Sequence, residues 1–356
     1  MLFKYTIVLF LVLVDLLSAD FSGWASTSVV NSSFPEVTVF IYHRFGESKY
    51  PSTSVAMDRF KEQMAYLMAN NYQVISLAEM VKRLQKQEPL PARAAVITID
   101  DGYKSVYHEA WPVLKSFGFP FTVFVYVKAV DSGYSDFMTW DQIKEMKTAG
   151  VDFQDHGYSH KRLGNIQDGM DESQYRAWIS ADLVKSSRIM MERLGDRPEF
   201  FAIPYGEYNQ VVIDEAKAMG YSAVLSQDPG SVSDNTDLFL IPREPILGED
   251  WSTINHFETV LKRVDLPIAD KKPTLAPLTI NPEMFSARLL FPDLYQENSL
   301  MIYVSELGWQ RPRFDHGAIF LENARPLTRK MNRIIVQGRE KETGRLAISS
   351  WMVMKP

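Results

Sequence analysis

The sequence predicts an α/β fold over residues 35–265, built on a parallel sheet, joined to a small β-rich module over residues 283–356. Three observations predict it. Short apolar, β-branched runs alternate with longer amphipathic segments from Val37 to about Ile246. The amphipathic segments end at Phe117-Gly118, Ala149-Gly150, Leu194-Gly195 and Met219-Gly220, where glycine can take the left-handed conformation that stops a helix, and another strand-like run follows quickly. Continuous apolar runs such as Val96-Ile-Thr-Ile99 and Thr122-Val-Phe-Val125 suit strands buried on both faces of a parallel sheet. A barrel and a doubly wound sheet both satisfy this pattern.

In chain order, residues 1–19 read as a secretory signal peptide: Lys4 precedes the apolar run Tyr5 to Val14, and Leu17-Ser18-Ala19 offers small residues for cleavage. An uncleaved signal anchor is the alternative, and would be the chain's one membrane contact. Either places the body outside the cytoplasm, secreted or periplasmic. Strands are predicted at Val37–Tyr42, Ala94–Ile99, Phe121–Val127, Val151–Gln154, Phe200–Ile203, Ala223–Leu225 and Phe239–Ile241, with a helix starting near His108. Residues 266–282 hold four prolines among Lys and Thr, which predicts an extended linker. Beyond it, strand-like pieces at Leu300–Glu306, Ala318–Leu321, Arg333–Gln337 and Leu346–Val353 predict a β-sandwich-like module.

Composition narrows the chemistry. A net charge of −6 with no dense Lys/Arg cluster argues against a nucleic-acid partner. The absence of cysteine excludes disulfides, thiolate catalysis and Cys-ligated metal, so any metal must be held by His and carboxylate.

In either architecture ligands gather at the carboxyl ends of the strands. The polar residues lie there: His43, Asp100-Asp101, Asp155-His156, Tyr205 and Arg243 each follow a predicted strand. Two adjacent carboxylates resist sharing negative charge unless a cation neutralises one, which leaves the other free to act as a base. Asp-Asp-Gly by itself reads equally as a helix-capping turn. His156 and His160 are spaced to face one ion from a single helical turn, although such a pair alone is commonly surface decoration. The two elements together, on strand ends of one βα fold, point to a metal hydrolase.

Here the chain resembles the polysaccharide deacetylase (NodB-homology) family of carbohydrate esterases, from about Val37 to Leu247. The family's Thr-Phe-Asp-Asp-Gly stands as Thr98-Ile-Asp100-Asp101-Gly102, its His-Ser/Thr-x-x-His as His156-Gly-Tyr-Ser-His160, and its Arg-x-Pro-Tyr/Phe-Gly as Ala202-Ile-Pro204-Tyr205-Gly206. The resemblance implies a distorted (β/α) barrel, Asp100 as catalytic base, and Asp101, His156 and His160 as ligands of a divalent metal, Zn2+ foremost. It further implies that the Tyr205 backbone amide faces the developing oxyanion. Ile41-Tyr-His43-Arg-Phe45 and Pro204-Tyr-Gly-Glu-Tyr208 look most like the exopolysaccharide branch, which handles poly-N-acetylglucosamine.

Two departures bear on mechanism. The motif-three arginine that holds the catalytic aspartate is Ala202 here, and Arg243 is the expected replacement, since a guanidinium offers a rigid fork to a carboxylate. No histidine accompanies Leu240-Ile-Pro-Arg-Glu-Pro-Ile246, so the family's Leu-x-His general acid has no counterpart; His43 could line the pocket and give a proton. Tyr103 and Trp140 stand near the expected rim, where aromatic rings can stack on sugars, although core packing is the commoner fate of such residues. The expected function is metal-dependent release of acetate from an N-acetylated amino-sugar polymer: poly-N-acetylglucosamine, chitin or peptidoglycan. A catalytically impaired, glycan-binding relative is the rival reading.

Overall fold

The computed structural model describes residues 36–355; the expected signal peptide at 1–19 lies outside the described residues. Eight strands make one sheet in which every pairing is parallel. Val37–Tyr42, Ala94–Ile99, Thr122–Val125, Asp152–Asp155, Phe200–Ala202 and Ala223–Leu225 follow one another in spatial order, and Gln73–Val74 adds to the second of them. The chain from 241 to 245 returns the sheet to its start. Ile241 bridges Leu225, and Glu244–Pro245 pairs with Phe40 and Ile41. This is the distorted (β/α) barrel rather than an open, doubly wound sheet.

Alternation along the strands sorts two cores. Val37, Val39, Val96, Phe124, Phe200, Ala202 and Leu225 share one cluster. Phe40, Tyr42, Ile97 and Ile99 share another with residues of the helices Met57–Ala69, Trp111–Phe117 and Ile254–Leu261. Strand and helix boundaries follow the apolar runs, with three corrections. The strand expected at Phe239–Ile241 is a single bridge, because Pro242 has no N–H for a ladder and pairing resumes only at Glu244–Pro245. The helix expected from His108 is preceded by a π-helical turn, Val106–Ala110, and becomes α-helical at Trp111, where Pro112 occupies the first turn. The segment 266–282 is not only a linker: Ile268–Lys272, bracketed by Pro267 and Pro273, is a strand paired with Met284–Leu289.

The C-terminal residues form two further sheets. One orders Val264–Asp265, Leu346–Met354, Met331–Glu340, Tyr295–Val304 and Gly308–Gln310; the other holds Ile268–Lys272, Met284–Leu289, Ala318–Glu322 and Arg313–Asp315. Phe285, Ile302, Ile334, Val336 and Trp351 fill a common core. The module is not insulated from the barrel, since Met352 and Met354 pack in one cluster with Phe201, Ile203 and Tyr208.

Trp351 is fully buried and its indole N–H donates to the Pro273 carbonyl at 3.0 Å. Trp351→Ala is expected to lower unfolding stability by about 3–5 kcal/mol, through lost burial and the cavity left behind. Denaturant unfolding followed by fluorescence checks this, and an unchanged midpoint would contradict the packing described.

Candidate active site

The strand Ala94–Ile99 delivers Asp100 still in register, its N–H donating to the Tyr42 carbonyl at 2.9 Å. The next residue breaks the strand. Asp101 adopts φ +71 and Gly102 φ +76, conformations in which a side chain other than glycine is strained. That reversal sends two neighbouring carboxylates to different partners.

Asp100 is wholly buried and meets Arg243 in a two-pronged contact, Nη1 to Oδ1 at 2.7 Å and Nη2 to Oδ2 at 2.9 Å. The guanidinium is itself held, with Nη1 also donating to Thr98 Oγ1 at 3.1 Å and Nε to the Ser226 carbonyl at 2.8 Å. Burial pushes the Asp100 carboxyl up, but the charge of Arg243, and then that of His156, outweighs it, so the group sits below its ordinary value. The expected replacement of the motif-three arginine is therefore present in geometry: where position 202 is alanine, Arg243 reaches the aspartate from the returning segment 241–245.

Asp101, His156 and His160 converge, with one potential ligand atom from each lying within 4.8 Å of the others. His160 Nε2 is 2.9 Å and His156 Nε2 3.4 Å from Asp101 Oδ1. His156 Nδ1 is 2.7 Å from the Ala202 carbonyl, which fixes the proton on Nδ1 and leaves the Nε2 lone pair facing the carboxylates. Asp101 Oδ1 is buried and has no hydrogen-bond partner among the described residues. A carboxylate oxygen left without a donor, facing two imidazole nitrogens, suits a divalent cation, and a His/carboxylate donor set is one that zinc takes.

The two histidines do not share a helical turn, as their spacing suggested. They lie in a loop after the strand Asp152–Asp155, and His160 has φ +51. Buried carboxylates shape that loop. Asp182, on the helix Glu172–Leu194, accepts the N–H groups of Tyr158 at 2.9 Å and Ser159 at 3.0 Å. Asp155 accepts Gly157 N–H at 2.7 Å and the hydroxyls of Ser186 and Tyr221, each at 2.5 Å. Burial raises Asp155 to about 6 despite these donors. Sequence reasoning missed Asp182 and Ser186, yet a signal existed: they stand four residues apart, on the face of the helix that also buries Ile179, Leu183 and Ile189.

His43 is half-buried beside the centre, and its Nδ1 is buried without a hydrogen-bond partner among the described residues; desolvation pushes its imidazole down, and Asp101 and Asp100 pull it back up only in part. The Tyr205 ring is exposed, lies 4.6 Å from the His160 ring, and carries the Arg162 guanidinium 4.1 Å above it. Its backbone is left-handed, φ +59, within the turn Pro204–Gly206. Tyr103 is partly buried under the Arg44 guanidinium, 3.5 Å from the ring centre, and burial, then the charge of Asp101, raises its hydroxyl. Trp140 is a correction. It is 9% exposed, packs among Val127, Val130, Met138 and Ile143, and its N–H donates to Asp131 at 3.2 Å, so it offers no face to a sugar.

Residues 87–224 match the model of the polysaccharide deacetylase family. The chain carries a polysaccharide deacetylase domain. Among curated relatives, the poly-beta-1,6-N-acetyl-D-glucosamine N-deacetylase of Staphylococcus epidermidis is 28% identical over 232 residues, covering 64% of this chain and 77% of that protein. The Escherichia coli K12 protein of the same name is 29% identical over 236 residues, 55% of this chain, and the aligned region spans only 35% of its length. Among solved structures, IcaB from Ammonifex degensii superposes with a TM-score of 0.55 at 25% identity, covering 63% of this chain and 97% of its own. In this deacetylase domain Asp100, Asp101, His156, His160 and Tyr205 lie inside the matched span, whereas His43, Arg243 and the C-terminal module lie outside it.

Two substitutions probe the geometry. Arg243→Met leaves Asp100 buried without a counter-charge and is expected to cost about 3–5 kcal/mol in a denaturant titration; a loss below about 1 kcal/mol would mean that the fork does not stabilise the fold. Asp182→Ala strips two buried N–H groups of their acceptor, which costs about 1–3 kcal/mol, and is expected to weaken zinc binding measured by competition with a chromophoric chelator. Wild-type zinc affinity in that variant would show the loop to be held by something else.

Proposed function

We propose that the chain is a metal-dependent N-deacetylase that removes acetyl groups from an amino-sugar polymer of the poly-N-acetylglucosamine type. One observation carries the reading: an ionised aspartate clamped by a buried arginine stands against a second aspartate that faces two imidazoles. Neither half is useful to a fold alone, since both bury charge at a cost that apolar packing would avoid. The relatives named for poly-beta-1,6-N-acetyl-D-glucosamine support the polymer class.

Asp101, His156 and His160 would hold the divalent cation, with zinc favoured by the donor set. When bound, that ion supplies a Lewis acid that polarises the acetamide carbonyl and acidifies water. The remaining work falls to the chain itself. Asp100 takes the proton of the attacking water on a carboxylate oxygen, and Arg243 keeps that carboxylate ionised and aimed until it does. On this reading the oxyanion falls to the backbone amide of Tyr205, whose turn is left-handed and whose ring lies beside His160. The amine leaving group needs a proton, which is the one Asp100 took from the water; His43, next to the two aspartates and held toward its neutral form, is the imidazole that could accept it and pass it on. Tyr205, whose ring is exposed, offers surface for a sugar, whereas the Tyr103 ring is packed against Arg44 and Phe137. Export to the cell surface or periplasm fits a polymer that lies outside the cell; N-terminal sequencing of the secreted chain tests it.

The deciding experiment measures acetate released from poly-N-acetylglucosamine, chitin oligomers and peptidoglycan, before and after chelation and after zinc is restored. Chelator-sensitive, zinc-restored release is expected, with poly-N-acetylglucosamine preferred. Asp100→Asn is expected to keep zinc and lose at least ~10²-fold in turnover, and His156→Ala to lose both metal and activity. Near-normal turnover in Asp100→Asn would remove the base assignment, and no release from any polymer by the zinc-loaded protein would turn the reading to a glycan binder.

A further inference from the structure

Among the places where the C-terminal module meets the barrel is the loop 226–230, and that loop is where Arg243 is fixed. Asp228 is 3% exposed, and its carboxylate is shared by two donors. Arg333, on the module strand Met331–Glu340, donates from Nε to Oδ1 at 2.9 Å, and the Tyr208 hydroxyl donates to Oδ2. Two more contacts come from the module strand Leu346–Met354: Met352 N–H donates to the Tyr208 oxygen at 3.2 Å, and Ser350 Oγ donates to the Pro229 carbonyl at 2.8 Å.

From the same loop the hydrogen bonds run inward to the base. Asp228 N–H donates to Ser226 Oγ at 3.1 Å, and the Asp228 carbonyl accepts the Arg243 N–H at 3.0 Å. The Ser226 carbonyl accepts Arg243 Nε at 2.8 Å, and both terminal nitrogens of Arg243 then grip Asp100. Backbone and side chain of Arg243 are thus each anchored to a loop whose one buried carboxylate is neutralised from the module.

We infer that Arg333 is a positioning residue for the reaction, acting through Asp228 and Arg243 on Asp100, so that the C-terminal module completes the deacetylase site as well as covering the barrel. The inference rests on the deacetylase reading above for its kinetic consequence. Its physical basis is independent: without Arg333 the buried Asp228 carboxylate loses its one charged hydrogen-bond donor, with the charge of Lys271 left nearby, and the loop that sets the direction of the Arg243 fork is then free to shift and let water in. A base displaced by a fraction of an ångström loses turnover while leaving the substrate's binding surface as it was.

The test uses the full, zinc-loaded chain with Arg333→Ala, Arg333→Lys and Asp228→Asn. Steady-state acetate release is measured on acetylated glucosamine oligomers, zinc content is determined, and hydrogen–deuterium exchange is followed by mass spectrometry. Arg333→Ala is expected to lower kcat about tenfold to a hundredfold with KM changed by less than about twofold, zinc content unchanged and Lys restoring part of the loss. Exchange in residues 224–246 is expected to quicken while the helix Met57–Ala69 stays protected. Wild-type kcat and unaltered exchange in 224–246 would overturn the inference, and so would a loss of kcat that tracks loss of zinc and of protection throughout the chain, the mark of a merely structural role. If the wild type releases no acetate, the deacetylase reading fails instead, and exchange in 224–246 alone decides whether Arg333 holds the loop.

Discussion

The site depends on keeping a wholly buried carboxylate ionised. Taking Asp100 out of water favours its protonated form, and in the mechanism proposed above a protonated Asp100 could not accept the proton that hydrolysis releases. The fork of Arg243 reverses that preference at 2.7 and 2.9 Å, and Arg243 in turn spends its other donors on Thr98 and Ser226. Much of the surrounding architecture follows from this pair. The barrel returns at 241–245 to bring the arginine beside the strand that carries the aspartate, and the chain turns left-handed at Asp101. Asp100 is gripped by the guanidinium, Asp101 faces both imidazoles, and His156 Nε2 lies between them, 3.7 Å from Asp100 and 3.4 Å from Asp101.

Most of the barrel was legible because its strands bury both faces and so carry unbroken apolar runs, as in Ala94–Ile99, while glycines such as Gly118 and Gly195 mark where helices end. The strand-end residues were legible for a related reason: a carboxylate or imidazole directly after such a run has few structural uses. What failed to show were properties fixed by contacts distant in sequence. His156 and His160 have helical spacing but no helix, because Asp155 and Asp182 capture the N–H groups of the loop between them. Trp140 has the composition of a sugar platform, yet its place at the start of a helix turns it into the core. The prolines at 267 and 273 suggested a linker, whereas a strand of five residues fits between them.

The replaced arginine shows how a barrel tolerates a change of sequence position. A carboxylate at the centre can be approached from any strand end around it, and its need is for a planar, charged donor pair rather than for a residue from one particular strand. Arg243 meets that need from the segment that closes the barrel. At position 202 the main chain has a task of its own, the Ala202 carbonyl accepting the His156 ring N–H at 2.7 Å.

This bears on whether the site turns over or only binds. A protein that has lost catalysis but keeps a glycan surface needs no ionised base, and a buried aspartate held by a buried arginine is then a burden that apolar residues of similar volume would relieve. The Asp100–Arg243 pair is instead fully hydrogen-bonded, its arginine is anchored at three further points, and the adjacent Asp101 keeps a buried oxygen without a hydrogen-bond donor. Sites drifting toward simple binding would be expected to lose such costly features first. Their presence together, with the arginine supplied from the segment that closes the barrel, argues for a geometry suited to chemistry rather than to binding alone.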